Sequence, residues 1–386
     1  MSSLLNESII NDPPRRVSKA VFVGINYDRQ SGRLEGCVAD VNEKFNHISK
    51  FYSPSPENTL VLVDEPQKLS HSITSRISRV NTPTRENMIR AAEWLVAGAE
   101  AGDLLFWHYS GHGGQDRDKS GDEEDGKDEC LCPSDYQRSG VWVDDDIRAI
   151  LQTIPEGVYL NCEWDCCHSG TMLDLAENVM LKPHSAMPNA QQVPNAQQVP
   201  VAPQVQPAQL QQPPQLAQPQ YKIISMQGVQ YYLVPFPPSK RLPCLPEYDA
   251  VAPPPEAVVP EEPARGYRRA RAPAGAGAAA VAPGAPVATL KKYNYPPTQG
   301  VIVLWSGCED HDVSADASFN NRPMGAMTFA HLSAVRDERC NTILDVLRCE
   351  RDVLKRENYP QLPQVSFGVS GEKLLAAPYP FSVNRL

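Results

Sequence analysis

Two short clusters in this chain carry residues able to break and remake bonds. Asp165-Cys166-Cys167-His168-Ser169-Gly170 closes the apolar run Val158–Cys162, and Ser110-Gly111-His112-Gly113-Gly114 closes the run Asp103–Tyr109. A buried parallel strand that stops at small polar residues delivers them to the carboxyl edge of a sheet, where open α/β folds bind and react. If the two strands are neighbours, a thiol and an imidazole meet across that edge. A free thiol, with a pKa of about 8.5, is only slightly ionised at neutral pH. An imidazole beside it raises the thiolate fraction, accepts the proton and later returns it to a leaving amine. The pair is equipped for nucleophilic attack on an amide, with the N–H groups of Gly113 and Cys167 as natural oxyanion-hole donors. Residue chemistry alone does not choose between Cys166 and Cys167 as the nucleophile.

The elements that would position these groups read as an alternating pattern. Val17–Tyr27 is a β-branched run and predicts a first strand, and Val41–Phe51 has helical spacing of apolar residues. Thr59–Val63 predicts a second strand, and Ser70–Val80 is ambiguous. Thr82-Pro83 predicts an N-cap and first helical residue for a helix to about Ala99. After the His112 strand comes an acidic loop, Asp116–Glu129, then Val141–Val143 and a short helix ending near Ile154. Beyond Gly300, Val301–Trp305 predicts a buried strand, Gly325–Val335 and Asn341–Arg356 predict helices, and Gln364–Gly368 predicts a last strand. The expected fold is α/β with a mixed, mainly parallel sheet covered by helices on both faces.

Of the 37 prolines, 24 lie between Pro183 and Pro297, in a tract that also holds a tandem PNAQQV repeat and an Ala/Gly/Pro-rich stretch. Such composition cannot bury enough apolar surface to offset about 1–2 kcal/mol of backbone entropy per ordered residue. The expected organisation is a short N-terminus (1–16), a large part (17–182), a mostly disordered insertion (183–297) with a hairpin at 221–235, and a small part (298–386) completing the same sheet. The net charge of −10 argues against nucleic acid as the ligand. No run is long enough for a membrane span, and no signal peptide is evident, so a cytoplasmic monomer is expected. The ten cysteines then suggest reactivity or metal binding rather than disulfides.

Taken together, Tyr109–Gly113, Asp165–Gly170, Gly307-Cys308-Glu309-Asp310 and Gly325-Ala326-Met327-Thr328 resemble the motifs of type I metacaspases, which are caspase-like cysteine peptidases. The resemblance spans roughly Val17–Met180 and Gly300–Gly368. It implies a caspase-like three-layer α/β/α sandwich interrupted by a long proline-rich insertion. The family nucleophile is the second cysteine of the pair, which makes Cys167 the nucleophile and His112 its base. They lie 55 residues apart, close to the caspase separation of about 50. The resemblance further implies cleavage after Arg or Lys, with Asp40, Ser110 and Asp165 lining the pocket for that side chain. A buried cation needs carboxylate partners, in keeping with such a pocket.

The acidic residues between and beyond the two catalytic positions suit Ca²⁺, which takes six to eight oxygen ligands. Asp116-x-Asp118-x-Ser120-Gly121 begins like an EF-hand loop, but its twelfth position is Lys127 and no helix pair flanks it. The resemblance implies instead an activating Ca²⁺ site made of dispersed aspartates, here Asp128, Asp144, Asp145 and Asp174. Cys130-x-Cys132 lacks a second ligand pair, which argues against zinc. Lys182, Lys240-Arg241 and Arg265–Arg271 are self-cleavage candidates for an enzyme of this specificity. Pro253–Pro255 offers a site for SH3- or WW-type partners. The competing expectation is a catalytically silent caspase-like scaffold that recruits partners through its insertion.

Overall fold

The computed structural model describes residues 4–117, 127–166, 172–182, 222–226, 229–233, 287–308, 316–319 and 322–386. In its first part the strands are β1 (Val17–Gly24), β2 (Thr59–Val63), β3 (Val80–Asn81), β4 (Leu104–Ser110), β5 (Gly113–Arg117), β6 (Lys127–Leu131), β7 (Trp142–Val143), β8 (Tyr159–Asp165) and β9 (Glu177–Lys182). There follow β10 (Lys222–Met226), β11 (Val229–Leu233), β12 (Val287–Lys292), β13 (Val301–Ser306), β14 (Asp316–Phe319), β15 (Arg322–Gly325) and β16 (Gln364–Phe367). The helices are α1 (Leu4–Asn11), α2 (Cys37–Ile48), α3 (His71–Thr74), α4 (Arg85–Val96), α5 (Tyr136–Ser139) and α6 (Asp144–Leu151), then α7 (Ala326–Val335), α8 (Ile343–Arg356) and α9 (Gly371–Leu375).

A nine-stranded sheet runs in the order β12-β9-β16-β13-β8-β4-β1-β2-β3. From β13 to β3 every pairing is parallel, while β16, β9 and β12 add an antiparallel flank. The sheet is mixed and mainly parallel, as expected. Strands from both sides of the insertion interleave, since β13 and β16 lie between β8 and β9. β4, β8 and β13 are buried along their whole length, which explains why they read as continuous apolar runs rather than alternating ones. Alternation reappears in where the side chains go. Ala20 and Phe22 of β1 join the core under α2, α7 and α8, while Val21 and Val23 join the core under α4 and α6.

Several local expectations shift. Helix α2 starts at Cys37, four residues before the expected Val41, and so takes in Asp40. A side chain at Gly24 would meet the Cys37 carbonyl at 2.6 Å, so glycine there lets the start of α2 lie against the end of β1. The N-cap of α4 is Thr84, not Thr82, and its side chain accepts a hydrogen bond from the Asn87 N–H (3.3 Å). The expected acidic loop is partly strand, because β5 and β6 pair antiparallel and β7 joins β6. Within the stretch read as insertion, β10 and β11 pair with each other around Gln227-Gly228, and β12 belongs to the main sheet. Most of that stretch, including Arg265–Arg271, Lys240-Arg241 and Pro253–Pro255, lies outside the described residues. Cys340 and Cys349 form a disulfide, against the expectation that reactivity or metal binding would account for the cysteines; among the described residues Cys37, Cys130, Cys132, Cys162, Cys166 and Cys308 are not disulfide-bonded. Among the described residues no helix is long and apolar enough to cross a membrane.

Candidate active site

β4 and β8 are adjacent and parallel, and their last residues, Ser110 and Asp165, are register partners. The Gly111 N–H donates to the Asp165 carbonyl at 3.3 Å, extending the pairing one step past the strand ends. His112 follows Ser110 by two residues and so leaves the chain at that sheet edge. In the sequence Cys167 follows Asp165 by two residues, but Cys167 and residues 168–170 lie outside the described residues. Cys166 is buried, and its carbonyl accepts from the Cys308 thiol (3.6 Å).

Three of the expected pocket residues converge. The Ser110 hydroxyl donates to Asp40 Oδ2 at 2.6 Å. Asp40 also accepts from the Gly325 N–H, at 2.9 Å to Oδ1 and 3.1 Å to Oδ2. Asp165 Oδ2 accepts from the Thr328 N–H at 2.7 Å. Gly325 is the N-cap of α7 and Thr328 its third residue, so the N-terminal end of that helix holds both carboxylates. Unpaired N–H groups and the positive end of the helix dipole favour anionic partners there. Gly325 and Thr328 went unassigned as pocket residues in the sequence, although both sit in the motif that carried the resemblance.

His112 is half-buried, and its ring lies 4.5 Å from the Tyr27 ring, centroid to centroid. Its Nε2 donates to the Gly32 carbonyl at 2.5 Å, which leaves Nδ1 as the nitrogen able to accept a proton. The backbone is held as firmly. The His112 N–H donates to the Tyr27 hydroxyl (2.8 Å), and its carbonyl accepts from the Tyr109 hydroxyl (2.8 Å) and the Cys132 N–H (3.1 Å). The Tyr27 hydroxyl passes its own proton to the Cys132 carbonyl (2.6 Å). Neither Tyr27 nor Gly32 was expected at the site. Tyr27 stood only as the end of the first strand run, but that strand stops at Gly24 and Tyr27 takes φ 56° in the loop beyond. Gly113, the expected oxyanion donor, opens β5 opposite Leu131.

Of the expected calcium residues, Asp128 and Asp174 lie close enough to Asp144 for their charges to act on it. Asp128 on β6, Asp144 at the start of α6 and Asp174 are buried, and Asp145 is half-buried. Asp144 accepts from the N–H groups of Glu129 (3.2 Å) and Asp145 (3.0 Å). Burial, followed by the charges of Asp174, Glu129 and Asp128, pushes the Asp144 carboxyl up to about 10. Arg148, one turn along α6, donates to the Asp174 and Pro296 carbonyls and so fixes that loop against the helix. Among the described residues no three His, Cys, Asp or Glu groups are gathered closely enough to hold a metal ion as they stand. The donor set nonetheless fits a hard divalent cation: all four side chains are carboxylates, three of them buried, and they supply oxygen ligands only.

Comparison with known proteins agrees with this layout. The family profile described as metacaspase, peptidase C14 domain, matches residues 18–176. A metacaspase-1 of Pyricularia oryzae is 32% identical over 354 residues, covering 90% of this chain and 71% of the relative. One from Meyerozyma guilliermondii is 30% identical over 349 residues, covering 90% and 68%. A Saccharomyces cerevisiae metacaspase-1 is 41% identical over a shorter span of 172 residues, 44% of this chain and 38% of the relative. With a caspase-like sheet and this similarity along most of its length, the chain belongs to the type I metacaspases, a family of cysteine-type endopeptidases.

Proposed function

We propose that this peptidase cleaves polypeptides after Arg or Lys, using Cys167 as nucleophile and His112 as its base, and that Ca²⁺ activates it. The observation that carries the reading is the pair of buried carboxylates, Asp40 and Asp165, held at the sheet edge from which both catalytic residues depart. Two carboxylates bound by a hydroxyl and helix N–H groups suit a guanidinium or ammonium, and would repel an acidic side chain.

In this scheme His112 Nδ1 takes the thiol proton while the Gly32 carbonyl keeps Nε2 protonated and the ring oriented. The Cys167 sulfur attacks the carbonyl carbon of the scissile bond, and N–H donors at the strand ends, Gly113 and Cys167, stabilise the oxyanion. His112 returns the proton to the leaving amine, and the C–N bond breaks to leave a thioester. Water, deprotonated by His112, then releases the new carboxyl group and restores the thiol. Asp128, Asp144, Asp145 and Asp174 would hold Ca²⁺. Its positive charge would offset the repulsion among these carboxylates, which is the chemistry an activating cation would supply there.

Purified protein incubated with fluorogenic peptides ending in Arg, Lys or Asp, with Ca²⁺ or a chelator, tests the reading. Release from Arg and Lys peptides only, dependent on Ca²⁺ and absent in Cys167→Ala, is the expected result. Cleavage after Asp, or no cleavage under any condition, would end it; the second outcome would favour the scaffold.

A further inference from the structure

Directly beneath the pocket lies a second polar layer that the catalytic scheme does not use. Each pocket group has a polar neighbour one step deeper on the same face of the same element. Lys44 follows Asp40 by one turn of α2, and His331 follows Thr328 by one turn of α7. Glu163 precedes Asp165 by two residues on β8, and His108 precedes Ser110 by two on β4. Lys44, His108, Glu163, His331 and Glu350 of α8 are all 1% exposed or less.

Glu163 is the hub. Its Oε2 contacts the Lys44 ammonium. Its Oε1 accepts from the Tyr379 hydroxyl (2.5 Å) and the Asn161 amide (3.1 Å) and lies 3.2 Å from His331 Nε2, which is hydrogen-bonded to the Tyr379 hydroxyl (3.0 Å). His331 Nδ1 contacts Glu350 Oε1 on the far side. His108 Nδ1 donates to the Glu163 carbonyl at 3.1 Å. A single carboxylate therefore ties together α2, β8 and α7, the three elements that carry Asp40, Asp165 and the N–H groups holding them.

Stability does not account for this arrangement. Removing several charges from water costs at least as much as their mutual attraction returns, and apolar residues of similar volume commonly serve as well or better. What such a network does supply is a fixed relative position, because the Glu163 carboxylate meets Lys44, Asn161, Tyr379 and His331 together in one geometry. We propose that Glu163, with Lys44 and His331, is a specificity-determining positioning layer. It sets the separation of Asp40 and Asp165 so that both can engage one cationic substrate side chain. The inference rests on the proposed Arg/Lys pocket. Electrostatics agree with it: burial pushes the Glu163 carboxyl up, but the His331 and Lys44 charges outweigh burial and hold it well below the usual range.

The test compares, in the full-length protein, kcat/KM for a peptide ending in Arg with that for the same peptide ending in uncharged citrulline. General loosening would lower both alike, whereas misplaced carboxylates lower only the Arg preference. Two variants remove the charges at near-constant volume, Lys44→Met with Glu163→Gln, and His331→Gln with Glu350→Gln. Tyr379→Phe removes one hydrogen bond to the hub and keeps the fold should the others fail. The double variants are expected to lose about tenfold in Arg preference, mainly through KM, and Tyr379→Phe about threefold, with melting temperatures within a few degrees of the parent. An unchanged preference in the folded variants, alongside its collapse in Asp165→Asn, would overturn the layer and leave the pocket standing. If Asp165→Asn also left the preference unchanged, both ideas would fall.

Discussion

Replacing Gly325 with alanine should disable the pocket while sparing the fold. A methyl group there would lie 2.2 Å from Asp165 Oδ2, 2.8 Å from Asp165 Cγ and 2.8 Å from Asp40 Oδ2. The backbone does not resist the change, because Gly325 has φ −62° and ψ 138°, which alanine adopts freely. The carboxylates must move instead, by about 1 Å to restore ordinary contact. Both are held: Asp40 by Ser110 and Gly325, and Asp165 by Thr328. Moving either one gives up at least one charge-assisted hydrogen bond, about 1.5–3 kcal/mol. In kcat/KM for an Arg peptide that is a loss of roughly 10- to 150-fold. Steady-state kinetics and a thermal melt on Gly325→Ala provide the check. A variant that keeps kcat/KM within twofold would show that the carboxylates do not grip substrate from where they stand.

Three further outcomes are expected. Tyr27→Phe keeps the ring beside His112 but removes the hydroxyl that accepts from the His112 N–H and donates to Cys132, so kcat should fall about tenfold with KM held; stopped-time assays over a substrate series measure it. Asp144→Asn removes a buried carboxyl that its neighbours disfavour as an anion, so the chelated protein should melt higher and the rise in melting temperature on adding Ca²⁺ should shrink; scanning calorimetry with and without Ca²⁺ decides. The third concerns acid. Burial, the main cause in both, pushes His47 down to about 4 and His108 to about 3, so the folded chain keeps them neutral while the unfolded chain binds protons below about 6.5. Their contribution is fully present above pH 6.5 and is lost as pH falls towards 4, on the order of 3 kcal/mol for His47. His331, raised by Glu163 and Glu350 despite its burial, works in the opposite sense. Chemical denaturation at pH 7, 5.5 and 4.5 should show the loss, and His47→Gln, which keeps a donor for the Phe381 carbonyl, should flatten it.

Much of the catalytic layout is local and therefore legible along the chain. The runs ending at Ser110 and Asp165 had to be buried strands, because fully covered parallel strands are apolar throughout, and glycines and small polar residues at their ends mark the sheet edge. Those strands are neighbours, and His112 follows the end of one of them by two residues. Tertiary structure decided what no period or motif records. It brought Gly325 and Thr328 of α7 onto two carboxylates from α2 and β8, across separations of 285 and 163 residues. It set the Tyr27 ring against His112 through a loop that departs from its strand, and it gathered Lys44, Glu163, His331 and Glu350 into one buried layer. Local pattern reports which face of an element is apolar, but a buried charge breaks that pattern and takes on meaning only through partners from other elements. For that reason the candidate residues could be read from the sequence, whereas the groups packed around them required the fold.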